Sequence, residues 1–485
     1  MHPEDSVLTC RNFYAGTWHD SPGEALDRRN PATGQLVSVA PCSSAAEVDA
    51  AVAAAAAAFR TWRRTVPADR ASHLHRLAEV CAGRVDDLAT AITREQGKPL
   101  DEARGEVRKF VTALHYYAEE ATRVFGRTIP NDAPGFTSIV AKEPIGPVAG
   151  IVPWNYPIEL IGWKLAGSVA AGCTIVIKPS EHTPGSAHVL SECVAETLPP
   201  GVANFVYGDG STGRALVAHP GIAKVAFTGS MATGQALYRT VTRITALSLE
   251  LGGSCPMIVT AQADLAAAIR GATRRSFRNA GQICIAINRI YVQDSVYDEF
   301  VSGFADAADA LTVADGMAVP DADVGSLTMT ETYRRTLDHI ADARERGAKI
   351  VAGGGPPGGP TGDPGLFLRP TVIADAPDDA RVMREETFGP AVGVASFTDL
   401  GDAIARANGV PGGLAAYAYT QDTRETFTIA GELDFGNVAV NNVDAGIINA
   451  PYGGRRESGF GSEHGSEGLE SYLQLKHIRL HHGAQ

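Results

Sequence analysis

An α/β fold of two parallel-sheet lobes is predicted by three features of the chain. A helical stretch runs over about 45–125, short β-branched runs alternate with helical segments from about 138, and a second alternating set begins after LELGG at 249–253. The 485 residues exceed one ordinary hydrophobic core, so two lobes of about 200 residues each are expected. Strands that alternate with helices belong in a parallel sheet covered on both faces.

In the first stretch Ala, Leu and Val recur at three- and four-residue spacing among Arg and Glu, as in AEVCAGRVDDLATAITREQGK. That is the period of an amphipathic helix. AAVAAAAAAF at 50–59 is poor in Leu and Ile and runs into RTWRR, so it predicts an Ala-rich surface helix and not a membrane span. The first strand set is SIVAKEP, VAGIVPW, CTIVIKP, NFVYG and KVAFTGS; the second is PMIVT, RIYVQ, AKIVAGG, AVGVASF and NVAVNN. Gly and Pro in AGGGPPGGPTGDPG, 352–365, exclude helix and central strand and predict an exposed loop. The terminal SYLQLKHIRL alternates in polarity as a strand does. A lone strand has to pair, and a second subunit is the expected partner.

The formal charge of -13, without any basic run, argues against a nucleic-acid partner. The start MHPEDSVLTC lacks the basic-then-apolar order of a secretory signal. Seven cysteines are scattered and never spaced as CxxC, so neither a disulfide framework nor a metal site is signalled, and a reducing cytoplasm is the expected compartment.

Six segments carry candidate chemistry. GDGSTG at 208–213 matches the dinucleotide fingerprint literally, but no acidic ribose partner follows within SMATGQA, 230–236, and a tight strand-to-helix turn is the competing reading. In FTGSMATG, 227–234, Gly229 and Ser230 end a strand and open a helix whose free N–H groups suit an anion; Ser230 is equally an ordinary N-cap. KPSEHTP, 178–184, sets Lys178 and Glu181 at a strand's C-terminal edge, where a carboxylate accepts ribose hydroxyls and repels a 2′-phosphate. Cys284 in NAGQIC needs activation and an oxyanion site to act as a nucleophile; Glu250 in LELGG and Asn155 in PWNYP are the residues that supply them.

Together these segments resemble the aldehyde dehydrogenase superfamily. KEPIGPVAGIVPWNYP, GCTIVIKPSEHTP, FTGSMATG, LELGGSCP, NAGQICIAINRIYV, EETFGP, GLAAY and APYGGRRESGFGSEHG follow in family order across nearly the whole chain. The resemblance implies a Rossmann-like NAD domain over 1–122 and 142–252, a catalytic domain over 253–456, and a small oligomerisation element over 123–141 and 457–485 of a homodimer or homotetramer. It implies Cys284 as nucleophile on an aldehyde, Asn155 and the Cys284 N–H as oxyanion donors, and Glu250 as the base that hydrolyses the thioester. Lys164 and Glu463 match proton-relay positions. Trp154, Lys178, Glu181, Ser230, Leu251, Glu386 and Phe388 fall on dinucleotide positions, and Glu181 points to NAD, with NADP as the alternative.

The wording is similar to succinate-semialdehyde dehydrogenases, yet of their carboxylate-clamping arginines only Arg278 has a counterpart. The other falls on Trp163, and the loop serine falls near Gly446. An uncompensated carboxylate is costly to desolvate, which favours a neutral hydrophobic or aromatic aldehyde. The expected pocket is Tyr156, Leu160, Trp163 and Tyr452, with Ile283, Ile285 and Ile447 beside the nucleophile. An ammonium-bearing aldehyde is the alternative, held by cation–π contact and by Glu159 or Asp444. A non-catalytic dinucleotide-binding protein and a CoA-acylating enzyme are the rival classes; Cys284, Glu250 and Asn155 together argue against the first, and Glu250 against the second.

Overall fold

The computed structural model describes residues 7–241, 243–358 and 365–483. Its first large sheet runs, edge to edge, through Gly459–Phe460, Ala246–Leu251, Lys224–Gly229, Pro147–Ile151, Thr174–Lys178, Ala203–Phe205, Asn12–Tyr14 and Thr17–His19. The five strands from Ala246–Leu251 to Ala203–Phe205 are parallel. Helices such as Pro157–Ala171 and Pro184–Thr197 connect them and cover the sheet, which is why Ile175, Val176 and Ile177 are all fully buried. Register sets what the C-terminal edge presents: Thr228 stands opposite Glu250, and Ile151 opposite Lys178.

The second sheet runs through Lys349–Ala352, Thr371–Ala374, Ala391–Phe397, Ile287–Gln293, Cys255–Val259, Ala415–Tyr419 and Asn437–Val440. All its pairings are parallel except that of the edge strand Lys349–Ala352. The N-terminal helical stretch resolves into Ala45–Trp62, Pro67–Gly83, Val85–Gln96 and Leu100–Ala121. The Ala-rich helix is closed by a capping box of Ser44 and Glu47 and buries only one stripe, Val48, Ala51, Val52, Ala55 and Trp62.

Two expectations are corrected. The terminal strand, Leu473–His481, finds a partner within the chain: it pairs antiparallel along its whole length with Phe136–Pro144, as an edge strand of a three-stranded sheet. For the same reason SIVAKEP lies outside the parallel sheet, in a three-stranded antiparallel sheet with Arg127–Ile129. Period-two alternation specifies a strand but not its partner. Of the Gly/Pro-rich loop, 359–364 lies outside the described residues, and the flanking residues form turns and irregular backbone. No helix among the described residues is long and apolar enough to cross a membrane.

Candidate active site

A cavity of about 560 Å³ opens at the C-terminal edge of the first sheet and reaches Cys284. Its wall brings together Trp154, Asn155, Lys178, Glu181, Ser230, Glu250, Leu251, Cys284, Glu386 and Phe388, and on the far side Leu160, Trp163 and Tyr452. Tyr156, Glu159, Arg278, Ile283 and Ile285 are not part of that wall.

Cys284 follows a turn in which Asn279, Ala280 and Gly281 all have positive φ, at 51°, 53° and 73°. Two consecutive non-glycine residues there are strained and must be held. The Asn279 side chain donates to the Asn155 carbonyl at 3.0 Å and accepts from Gln96 Nε2 at 2.9 Å, and its backbone N–H donates to Glu102 at 3.1 Å. A Cβ on Gly281 would collide with the Gly389 carbonyl, so only glycine fits. The Cys284 Sγ lies 3.3 Å from the Tyr452 hydroxyl. Burial pushes the thiol up to about 11, and the nearby Glu386 and Glu250 carboxylates add to this, while the Tyr452 hydroxyl opposes it.

Asn155 Nδ2 gives one proton to the Gln282 carbonyl at 3.0 Å, which fixes the amide against the segment before the nucleophile. Glu250 is buried, and neither of its carboxylate oxygens has a hydrogen-bond partner among the described residues. Burial, then the Glu463 carboxylate, holds it well above the usual range, opposed by Lys164 and Lys224. Behind it Lys164 Nζ bonds Glu463 at 2.5 Å and Thr228 Oγ1 at 2.6 Å, and Lys224 Nζ bonds Ser248 at 2.5 Å. Burial alone would bring Lys224 down, and it stands at about 8.

The other arm of the cavity has the donor set of a dinucleotide site. Ser230 caps Met231–Thr240, bonding the Thr233 N–H at 3.2 Å, so both readings of FTGSMATG describe one helix start that faces the cavity. Lys178 Nζ, whose pKa burial lowers, reaches Glu181 at 3.4 Å and the Pro179 carbonyl at 2.9 Å. In GDGSTG, Asp209 caps the helix Gly210–Ala218 with its own carboxylate, which disfavours a phosphate at that turn. Trp154 and Phe388 meet edge to face at 5.4 Å, Phe388 with a φ of 54°. Glu386 bonds the Gly253 N–H at 3.3 Å and is pushed up to about 7 by burial. A Cβ on Gly252 would run into that carboxylate.

Tyr156 belongs elsewhere. Its ring lies under Lys98 Nζ, 3.6 Å from the centroid, and its hydroxyl donates to Glu102 at 2.9 Å. Glu102 also takes Arg278 Nε at 3.0 Å. The third ring of the aromatic group is instead His464, 4.2 Å edge-on to Trp163 and 5.3 Å from Tyr452, which is itself 5.6 Å from Trp163. Burial brings His464 down to about 4, so a neutral ring backs Trp163 and Tyr452. Glu159 is buried with Lys109 at 3.9 Å, while Asp444 is taken by Arg274 and Arg275. Ile447 is exposed. Lys98, Glu102, Glu106, Lys224 and His464 carry no distinctive spacing; only the position of His464 beside Glu463 offered a signal.

The profile described as "Aldehyde dehydrogenase family" matches residues 18–478. The chain is 40% identical over 488 residues to a glutarate-semialdehyde dehydrogenase of Pseudomonas aeruginosa, covering 99% of each. It is 41% identical over 470 residues to an NADP(+) succinate-semialdehyde dehydrogenase of Escherichia coli, covering 96% of each. The crystal structure of an NAD-dependent aldehyde dehydrogenase from Sinorhizobium meliloti superposes with a TM-score of 0.96 at 32% identity, over 100% of this chain and 97% of that one.

Proposed function

The chain belongs to the aldehyde dehydrogenase family, and from that premise we propose that it oxidises a neutral hydrophobic or aromatic aldehyde to the carboxylic acid, with NAD as acceptor. The observation that carries this reading is one cavity joining the dinucleotide arm to Cys284, Glu250 and an uncharged wall of Trp163, Leu160 and Tyr452.

The residues present fit the dinucleotide. Ser230 and its helix N-terminus suit the pyrophosphate, Lys178 and Glu181 the ribose hydroxyls, Leu237, Val217 and Phe227 an apolar base, and Glu386 and Phe388 the nicotinamide half. When bound, the dinucleotide supplies the acceptor for the hydrogen and electron pair that leave the Cys284 adduct, which then stands as a thioester. The thiolate of Cys284 attacks the aldehyde carbon. The second Asn155 amide proton and the Cys284 N–H stabilise the oxyanion, at about 3 kcal/mol per donor. Glu250, lacking a fixed partner, takes up the proton of the water that hydrolyses the thioester and releases the acid. Lys164 and Glu463 give that proton a route away from Glu250.

Glu181 supports NAD over NADP, since its half-exposed carboxylate at the cavity would repel a 2′-phosphate. Glu181→Ser is expected to raise the NADP:NAD ratio of kcat/KM by about 10- to 100-fold. A ratio unmoved by the change would remove Glu181 from cofactor choice.

A second substrate reading, a carboxylate-bearing semialdehyde, is favoured by the activities of the similar proteins, although Arg278 is paired with Glu102 and lies outside the cavity wall. A panel of benzaldehyde, hexanal, betaine aldehyde, 4-aminobutanal and succinate semialdehyde separates the readings. Benzaldehyde or hexanal is expected to lead, and succinate semialdehyde turning over well above every other member would sink the proposal. Trp163→Arg is expected to raise kcat/KM for succinate semialdehyde relative to benzaldehyde by about 10-fold or more, because a charge then meets the carboxylate.

A further inference from the structure

Outside the cavity, Lys98 in the link between the helices Val85–Gln96 and Leu100–Ala121 forms a fully buried ion pair with Glu106 of the second helix, and both side chains turn to one short segment. Lys98 Nζ lies 2.7 Å from Glu106 Oε2 and 2.7 Å from the Asn155 carbonyl, and sits over the Tyr156 ring. Its three N–H groups thus have three partners. Glu106 uses its other oxygen, Oε1, to accept the N–H groups of Ile158 at 2.9 Å and Glu159 at 3.2 Å. These are orphan donors of the helix Pro157–Ala171, whose N-cap position, Tyr156, supplies no side-chain cap. One carboxylate therefore caps the helix from outside while its lysine grips the carbonyl three residues earlier.

We propose that Lys98 and Glu106 are positioning residues for the oxidation, holding the Asn155 amide on target from behind the cavity wall that Asn155 forms; the inference rests on Asn155 being an oxyanion donor. Among the described residues, Asn155 has two other anchors. Its Nδ2 donates to Gln282, and its carbonyl also accepts from Asn279, which is itself in left-handed backbone. Without the lysine, the turn between Pro153 and Pro157 keeps one grip on its carbonyl, and that grip comes from the strained turn that carries Cys284. A buried ion pair replaced by apolar groups of similar volume often costs no stability. Retention of a charged pair that touches Asn155, Tyr156, Ile158 and Glu159 is accounted for by geometry more than by stability.

The test is a set of variants read for kcat, KM and melting temperature on the whole enzyme with benzaldehyde and NAD. Lys98→Met is expected to lower kcat about 10- to 100-fold, the range in which a misplaced group costs rate, with KM little changed. It also lowers the melting temperature, because Glu106 is left buried and unpaired. Lys98→Met combined with Glu106→Gln removes that charge, and Gln still accepts the Ile158 N–H; melting temperature is expected to recover and kcat to stay low. Lys98→Met added to Asn155→Ala is expected to cost little beyond Asn155→Ala alone, as for residues that act through one group. Recovery of kcat along with melting temperature, or full additivity with Asn155→Ala, would show a purely structural pair and overturn the proposal. Asn155→Ala retaining the parent kcat would instead overturn the role of Asn155 itself, and the positioning role with it.

Discussion

Cys284→Ala is expected to lower aldehyde oxidation by about ten-thousand-fold or more, with dinucleotide binding and melting temperature close to those of the parent. A covalent route that loses its nucleophile has no partial substitute. The other cysteines cannot take over: Cys255, the nearest in the chain, is fully buried and its thiol donates to the Cys284 carbonyl at 3.4 Å, pointing behind the nucleophile. Reduced-dinucleotide absorbance during turnover and thermal denaturation give the two readouts. Residual turnover within about 10-fold of the parent would reject Cys284 as nucleophile. Thiol reactivity gives an independent check. With the Cys284 thiol held at about 11 by burial and by two carboxylates, alkylation by iodoacetamide in the free enzyme should rise with pH through neutrality. Tyr452→Phe removes the hydroxyl that bonds the sulfur, so it should slow alkylation at any fixed pH.

Cys284, Glu250 and Asn155, which meet at one cavity, could be singled out from sequence because each lies in a short segment of distinctive local composition. NAGQIC needs a glycine where a Cβ would strike the Gly389 carbonyl, LELGG places a carboxylate near the C-terminal end of a parallel strand, and PWNYP brackets an amide with prolines. The strand-and-helix alternation carried the two large sheets for the same reason. Tyr156, Leu160 and Trp163 share a helical face by spacing, but spacing does not tell that Lys98, from 58 residues earlier in number, covers the Tyr156 ring and diverts its hydroxyl to Glu102. Glu106 in LDEARGEVRKF and Lys98 in EQGKP carry no sequence mark of burial, yet both are fully buried, bonded to each other and to backbone groups of the Asn155 segment. The strand Leu473–His481 was legible and its partner was not, since register is decided by what lies beside it. Long-range contacts between charged side chains and backbone leave no local pattern.

Glu250→Gln is expected to lower steady-state turnover by about 100- to 10,000-fold, the range of a general base, while the first turnover still releases reduced dinucleotide. Acylation would outrun hydrolysis, so a burst matching the number of active sites should be followed by a near-flat trace. Loss of the burst along with the steady state would place Glu250 before the thioester. The pH dependence follows from its surroundings. Burial and the Glu463 carboxylate hold Glu250 well above the ordinary carboxylate range; below its raised value the group is protonated and cannot accept a proton, so kcat should climb with pH as the base form appears. Glu463→Gln removes the repelling charge and leaves the Lys164 cation beside Glu250. Both changes favour the Glu250 anion, so the acid limb of the kcat profile should move to lower pH. A limb that moves up, or one that persists in Glu250→Gln, would assign the titration to another group. Glu386, at about 7, is the neighbour whose replacement would then be tested.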